Sequence, residues 1–145
     1  MIKKLVLMGA LISALTAAQA VEIGITDGNN FSKNENVWGV TVGTQVRSYD
    51  VTGGFARSGS SDTYSVVGAK DVTKFGPATV AVKAGVAYTD IKGISTGYAA
   101  IVGASATVPL AKKVSATLDY SYQAGESKVS AQDGNRLAAG LKYSF

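Results

Sequence analysis

From Val21 onward the chain alternates apolar and polar residues with a period of two, and nowhere holds a 3.6-residue apolar period for long. Such alternation builds strands with two unlike faces. Eight runs carry it, at about 21–26, 37–47, 49–57, 63–72, 78–89, 96–108, 114–124 and 135–145. In 114–124, Val114, Ala116, Leu118, Tyr120, Tyr122 and Ala124 share one face, and Ser115, Thr117, Asp119, Ser121 and Gln123 the other. The last run sets Leu137, Ala139, Leu141, Tyr143 and Phe145 against Arg136, Ala138, Gly140, Lys142 and Ser144. In 63–72 the pattern is ambiguous, because Val66 and Val67 fall on opposite faces and Lys70 lies with Tyr64, so its register stays open.

The first 20 residues read differently. Lys3 and Lys4 precede an apolar stretch from Leu5 to Leu15, and Ala18-Gln19-Ala20 supplies a small-residue cleavage site. These are the three parts of a secretory signal peptide, with Val21 the expected mature N-terminus. The expected organisation is a cleavable leader at 1–20 and one small domain at 21–145. Two of the 14 basic residues, Lys3 and Lys4, belong to the leader, and the rest nearly balance the 10 acidic ones. That balance gives no footprint for nucleic acid. The chain has no cysteine and no histidine. An exported protein without disulfides needs another source of stability, such as a closed hydrogen-bonded sheet. Lack of histidine removes the commonest general base and metal ligand, so neither a catalytic, a cofactor nor a metal site is expected.

The connections also alternate. Those after the first, third, fifth and seventh runs are DGNNFSKNEN, RSGSSD, DIKGIS and GESKVSAQDG, while the others are a turn at Ser48-Tyr49, then VTKFGP and PLAKK. A meander with longer loops at one end and shorter turns at the other follows. On it Trp38, Phe55, Tyr64, Tyr88, Tyr98 and Tyr122 fall near the outer rim, and Tyr49, Phe75, Tyr143 and Phe145 near the inner rim. Valine, leucine, isoleucine and alanine fill the middle of that face. Two aromatic belts flanking an aliphatic band is the arrangement a bilayer selects. Turned the other way, the same faces would give a soluble sandwich with an aromatic core, which eight alternating strands also permit.

The opposite face carries Glu22, Lys83, Asp119, Arg136 and Lys142, with Arg47 and Asp50 near the inner rim. If the first and last strands pair, Glu22 and Lys142 become neighbours. Asp119 would then stand across from about Gly140, within reach of Lys142 or Lys83. A narrow barrel of about eight strands is filled by its own side chains, so these charges form an expected lumen network in which opposite signs offset one another. The alternative is a narrow pore whose charges set ion preference, with Gly39, Gly43, Gly85 and Gly103 leaving space for water.

On these residues the chain resembles the small eight-stranded outer-membrane β-barrels of the opacity-protein, OmpX and OmpA-transmembrane-domain type. The resemblance implies an all-β, antiparallel up-and-down transmembrane barrel. That family's assembly signal in the last strand is matched by Gly140, Tyr143 and Phe145, while Ala138 stands where a polar residue is usual. It further implies export and residence as a monomer in a Gram-negative outer membrane, contact with outer-membrane lipid and lipopolysaccharide, and handling by periplasmic chaperones and the barrel assembly machinery. Enzymes built on such barrels resemble one another in using a catalytic histidine, which this chain lacks. A non-catalytic structural or surface-exposed envelope protein is therefore expected, with a porin-like channel or loop-mediated binding through 27–36 or 125–134 as alternatives.

If the terminal aromatic is an assembly signal, Phe145→Ala lowers the yield of folded barrel in cells far more than it lowers refolding in detergent. Equal losses in the two assays would assign Phe145 a packing role alone.

Overall fold

The computed structural model describes residues 21–59, 61–93, 95–126 and 134–145. The expected signal peptide lies outside the described residues. Each alternating run is a strand: β1 (Val21–Asn30), β2 (Glu35–Val46), β3 (Tyr49–Ser58), β4 (Ser61–Phe75), β5 (Ala78–Ile91), β6 (Ser95–Pro109), β7 (Val114–Gly125) and β8 (Gly134–Ser144). Every strand pairs antiparallel with its sequence neighbour, and β8 closes on β1, giving a closed eight-stranded barrel. Closure leaves no edge strand to present unpaired backbone groups.

The ladder that starts at Val21 passes through Thr44, Val51, Gly68, Ala84, Val102, Tyr122 and Asn135. It returns just past the end of β1 at Phe31, whose amide donates to the Asn135 carbonyl at 2.9 Å. This stagger is the shear that a closed barrel requires, and it tilts the strands by roughly 35–45°.

The faces settle the choice between barrel and sandwich. Ile25, Val86, Val102 and Leu118 point outward and are about half exposed, whereas Asn30, Thr89 and Gln123 point inward and are at most 1% exposed. Among the described residues the fully buried side chains are more often polar than apolar. A soluble sandwich would bury the opposite set.

Two expectations need correction. The polar stretch DGNNFSKNEN is mostly strand: Asp27, Gly28, Asn29 and Asn30 pair with Trp38, Val37, Asn36 and Glu35, leaving only Phe31–Asn34 as the turn. Asn34 adopts the left-handed conformation there, with φ of 53°. These residues pair because the ladder continues above the apolar band, where side-chain polarity no longer reports on strand ends. The contrast of long outer loops with short inner turns is thereby reduced to the connection between β7 and β8, of which 127–133 lie outside the described residues.

The second correction explains the ambiguous run. The β4–β5 register shifts between Asp71 and Thr73, leaving Val72 as a bulge. Before it, even-numbered residues face out, since Tyr64 and Lys70 pair with Tyr88 and Val82. After it, odd-numbered residues do, and Phe75 pairs with Ala78. An inserted residue reverses the face of everything beyond it, so a single alternation cannot be read through it.

Leu118 lies in the middle of the outward band, 52% exposed, between Ala106 and Ala139 on the neighbouring strands. Leu118→Arg is expected to weaken bilayer insertion by about 2–4 kcal/mol. The urea midpoint for folding into vesicles reads this out, and an unchanged midpoint would contradict the assignment of faces.

Candidate functional site

A barrel of this size offers two places for function: its lumen and its rims. At the inner mouth Lys142 approaches Glu22 with Nζ to Oε2 at 3.6 Å, across the β8–β1 seam. Ser144 also donates to Glu22 through its hydroxyl, at 3.3 Å. Asp50 and Asp71 line the lumen near this level.

Deeper in, the Lys83 ammonium donates to both carboxylate oxygens of Asp119. The two residues sit on β5 and β7, so Lys83 must cross β6. It does so over Gly103, its direct partner, where an added Cβ would lie 3.1 Å from Lys83 Cε and collide with the Tyr120 carbonyl. Glycine at 103 is what lets the ammonium reach its carboxylate. Asp119 stands opposite Ala138 rather than Gly140, and Lys142 takes Glu22 as its partner. Arg136 lies higher, lining the same lumen.

A cavity of about 220 Å³ surrounds this pair, lined with hydroxyls that include Thr41, Thr52, Ser65, Ser105 and Thr117. It does not extend through the outer end. There Asn30, Ser61, Thr63, Thr89 and Gln123 form a buried neutral layer. Thr63 and Thr89 hydroxyls lie 3.3 Å apart, the Gln123 amide donates to Thr89 at 3.4 Å, and Ser58 donates to Glu35 at 2.8 Å. Asn30 Nδ2, Ser61 Oγ and Gln123 Oε1 find no partner in this layer. Charge alone did not reveal it. Thr63, Thr89 and Gln123 share the inward phase of the charged positions, which is the one signal that marks them in the sequence.

The outward rings fall at two levels. Trp38 meets Phe55 edge-on with centroids 5.9 Å apart, Phe55 meets Tyr64 at 5.3 Å, and Tyr88 meets Tyr98 at 5.7 Å. Tyr64 and Tyr88 are direct cross-strand partners, so these contacts continue over five strands. Tyr122 faces out on β7 beside Val102. Tyr120, not assigned to a belt from sequence, also faces out and donates to Asn135 at 2.6 Å. Above the outer belt Arg57 makes a two-pronged ion pair with Asp62, at 2.7 and 3.0 Å, with its guanidinium 5.7 Å from the Phe55 centroid.

At the inner level Tyr143 packs edge-on against Phe145 at 5.0 Å, and Tyr49 and Phe75 are exposed. The Phe145 amide donates to the Val21 carbonyl at 3.0 Å, tying the last residue to the first strand. Gly140 has a local reason to be glycine: an added Cβ would run into the Ile25 carbonyl.

No protein-family model and no curated protein matches the chain. Solved structures do. The N-terminal β-barrel domain of Pseudomonas aeruginosa OprF superposes with a TM-score of 0.69 at 16% identity, over 88% of this chain and 98% of that one. Neisserial surface protein A gives 0.59 at 12% identity, over 87% and 95%. The outer membrane enzyme PagL gives 0.51 at 10% identity, over 86% and 98%. The fold is that of the small eight-stranded transmembrane β-barrels of outer membranes. At these identities the likeness defines the fold alone, and it spans proteins with and without catalysis in their descriptions.

Removing one partner of the central pair strands the other charge in a confined lumen. Lys83→Met is expected to cost about 2 kcal/mol, discounted from a fully buried pair because both side chains keep some contact with the cavity. Adding Asp119→Leu to it should restore most of the loss. Urea unfolding of the refolded barrels checks this, and a double variant as weak as the single would show that the pair is not coupled.

Proposed function

We propose that the chain is an outer-membrane-spanning barrel of the cell envelope that acts without catalysis, as a structural and surface-exposed component, and stands as a monomer. The observation that carries this reading is the sealed lumen. The buried layer of Asn30, Ser61, Thr63, Thr89 and Gln123 closes the outer end above the Lys83–Asp119 pair. A barrel so filled offers a rigid wall rather than a route.

Residence in the outer membrane follows from the fold together with the leader-like first 20 residues. The outward aliphatic band and its two aromatic levels suit outer-membrane lipid, with lipopolysaccharide meeting the outer rim. Gly140, Tyr143 and Phe145 at the seam would be the residues that the barrel assembly machinery and chaperones take hold of. Because an enzyme shares this fold, the absence of catalysis rests on the chain itself. It lacks histidine, and its central lumen lysine and aspartate are held by each other.

A porin-like channel is the second reading, favoured by the hydroxyl-lined cavity of about 220 Å³ below the layer. Binding through the 27–36 segment loses ground, since most of that segment is paired strand.

Planar-bilayer recording of the refolded protein separates the first two readings. The wild-type barrel is expected to show no discrete conductance. Thr89→Ala combined with Gln123→Ala should produce steps, because it empties the layer where three buried polar atoms already lack partners. Regular steps from the wild type would replace the structural reading with the channel.

A further inference from the structure

The two ends of the barrel carry opposite charge. At the outer end the described side chains Asp27, Asp62, Asp90 and Glu126 outnumber Lys33, Arg57 and Lys92. At the inner end the acids Glu22, Asp50 and Asp71 all lie within the lumen wall. Cations stand around its mouth. Arg47 occupies the β2–β3 turn, and Lys112 and Lys113 occupy the β6–β7 turn. Lys70 sits on the outward face with its ammonium 5.6 Å from the Tyr49 ring centroid. All four are exposed. Lys74, paired with Thr79, takes the lumen-facing phase and is not counted with them.

Apolar residues are interleaved with them. Val72, Phe75 and Leu110 are more than half exposed at the same level. Val72 reaches this position because it is the bulged residue of β4. Leu110 stands at a turn closed by bonds from its own amide and that of Ala111 to the Val114 carbonyl. Cations beside exposed apolar side chains, at the height of Tyr49 and Tyr143, match the boundary between headgroups and acyl chains.

We propose that this inner ring is a binding surface for anionic phospholipid of the leaflet it faces, with the four cations meeting lipid phosphates and the three apolar side chains entering the acyl boundary. The inference rests on the reading of the chain as a membrane-spanning barrel. Charge complementarity selects the occupant: a ring of cations with its acids turned inward attracts anionic headgroups, each cation contributing through a field that salt screens. Among the described residues acids outnumber cations at the outer end, so the preference belongs to the inner one.

The test folds the mature protein into phosphatidylcholine vesicles with and without 20 mol% phosphatidylglycerol and follows the temperature at which the heat-modifiable band converts. Wild type should gain on the order of 5 °C from phosphatidylglycerol at low salt. The gain should vanish in 0.5 M NaCl, a concentration at which the Debye length falls to about 4 Å. A variant combining R47Q, K70Q, K112Q and K113Q should fold in phosphatidylcholine with the same band shift and show no gain. K33Q with K92Q, at the other end, should keep it. A wild-type barrel indifferent to phosphatidylglycerol overturns the proposal, as does a four-fold variant that keeps the gain. Indifference to lipid with retention on a polyglutamate resin would assign the ring to an acidic protein partner instead. Failure of the wild type to fold in either vesicle would instead sink the membrane-spanning reading.

Discussion

Backbone hydrogen bonding dictates this architecture. In a hydrocarbon layer an unpaired amide or carbonyl has no water to turn to, so a sheet can cross only if it closes on itself. The seam between β1 and β8 makes that closure, running from Glu22 opposite Ser144 to Asn30 opposite Arg136. The Glu22–Lys142 pair and the Phe145 amide bond to Val21 hold its inner end. Everything else in the fold, including strand tilt, lumen width and the level of each ring, follows from closing eight strands with the stagger these pairings set.

Closure turns the usual distribution of polarity inside out. The outward surface needs no core and carries rings where the environment changes from apolar to polar. The lumen wall is polar, and many of its groups turn to one another. Two solutions appear at different depths. Around mid-height a charged pair is made possible by an absent side chain at Gly103. Toward the outer end neutral hydroxyls and amides meet one another, as at Thr63, Thr89 and Gln123. This division leaves a cavity beneath a closely packed outer layer, an asymmetry along the axis that parallels the difference in charge between the two rims.

Much of this was legible in the sequence because a strand with unlike environments on its two faces records them residue by residue. The β7 and β8 patterns place Leu118, Tyr122 and Tyr143 on one side and Asp119, Arg136 and Lys142 on the other, as the structure does. Three things escaped that record. Strand ends beyond the apolar band, such as Asp27 to Asn30, read as loop because both faces there are polar. The bulge at Val72 inverts the phase of β4 and hides its register. The outer layer consists of threonine, serine, asparagine and glutamine, residue types that suit a turn or a wet surface as well as a sealed lumen.

By itself the sequence determined the number of strands and, outside β4, which residues share a face, because period-two alternation is a local property that any correct pairing must respect; that the sheet closes as a barrel with its polar face inward was decided by the tertiary structure. The sequence also placed Glu22 near Lys142, since both positions follow from pairing the first strand with the last. Only the tertiary structure decided that Asp119 pairs with Lys83 and stands opposite Ala138, and that Thr89 and Gln123 meet across the lumen. The Lys83–Asp119 and Thr89–Gln123 contacts join β5 with β7, which are not sequence neighbours. Their distances depend on the stagger accumulated around the whole barrel, a quantity that no single strand contains.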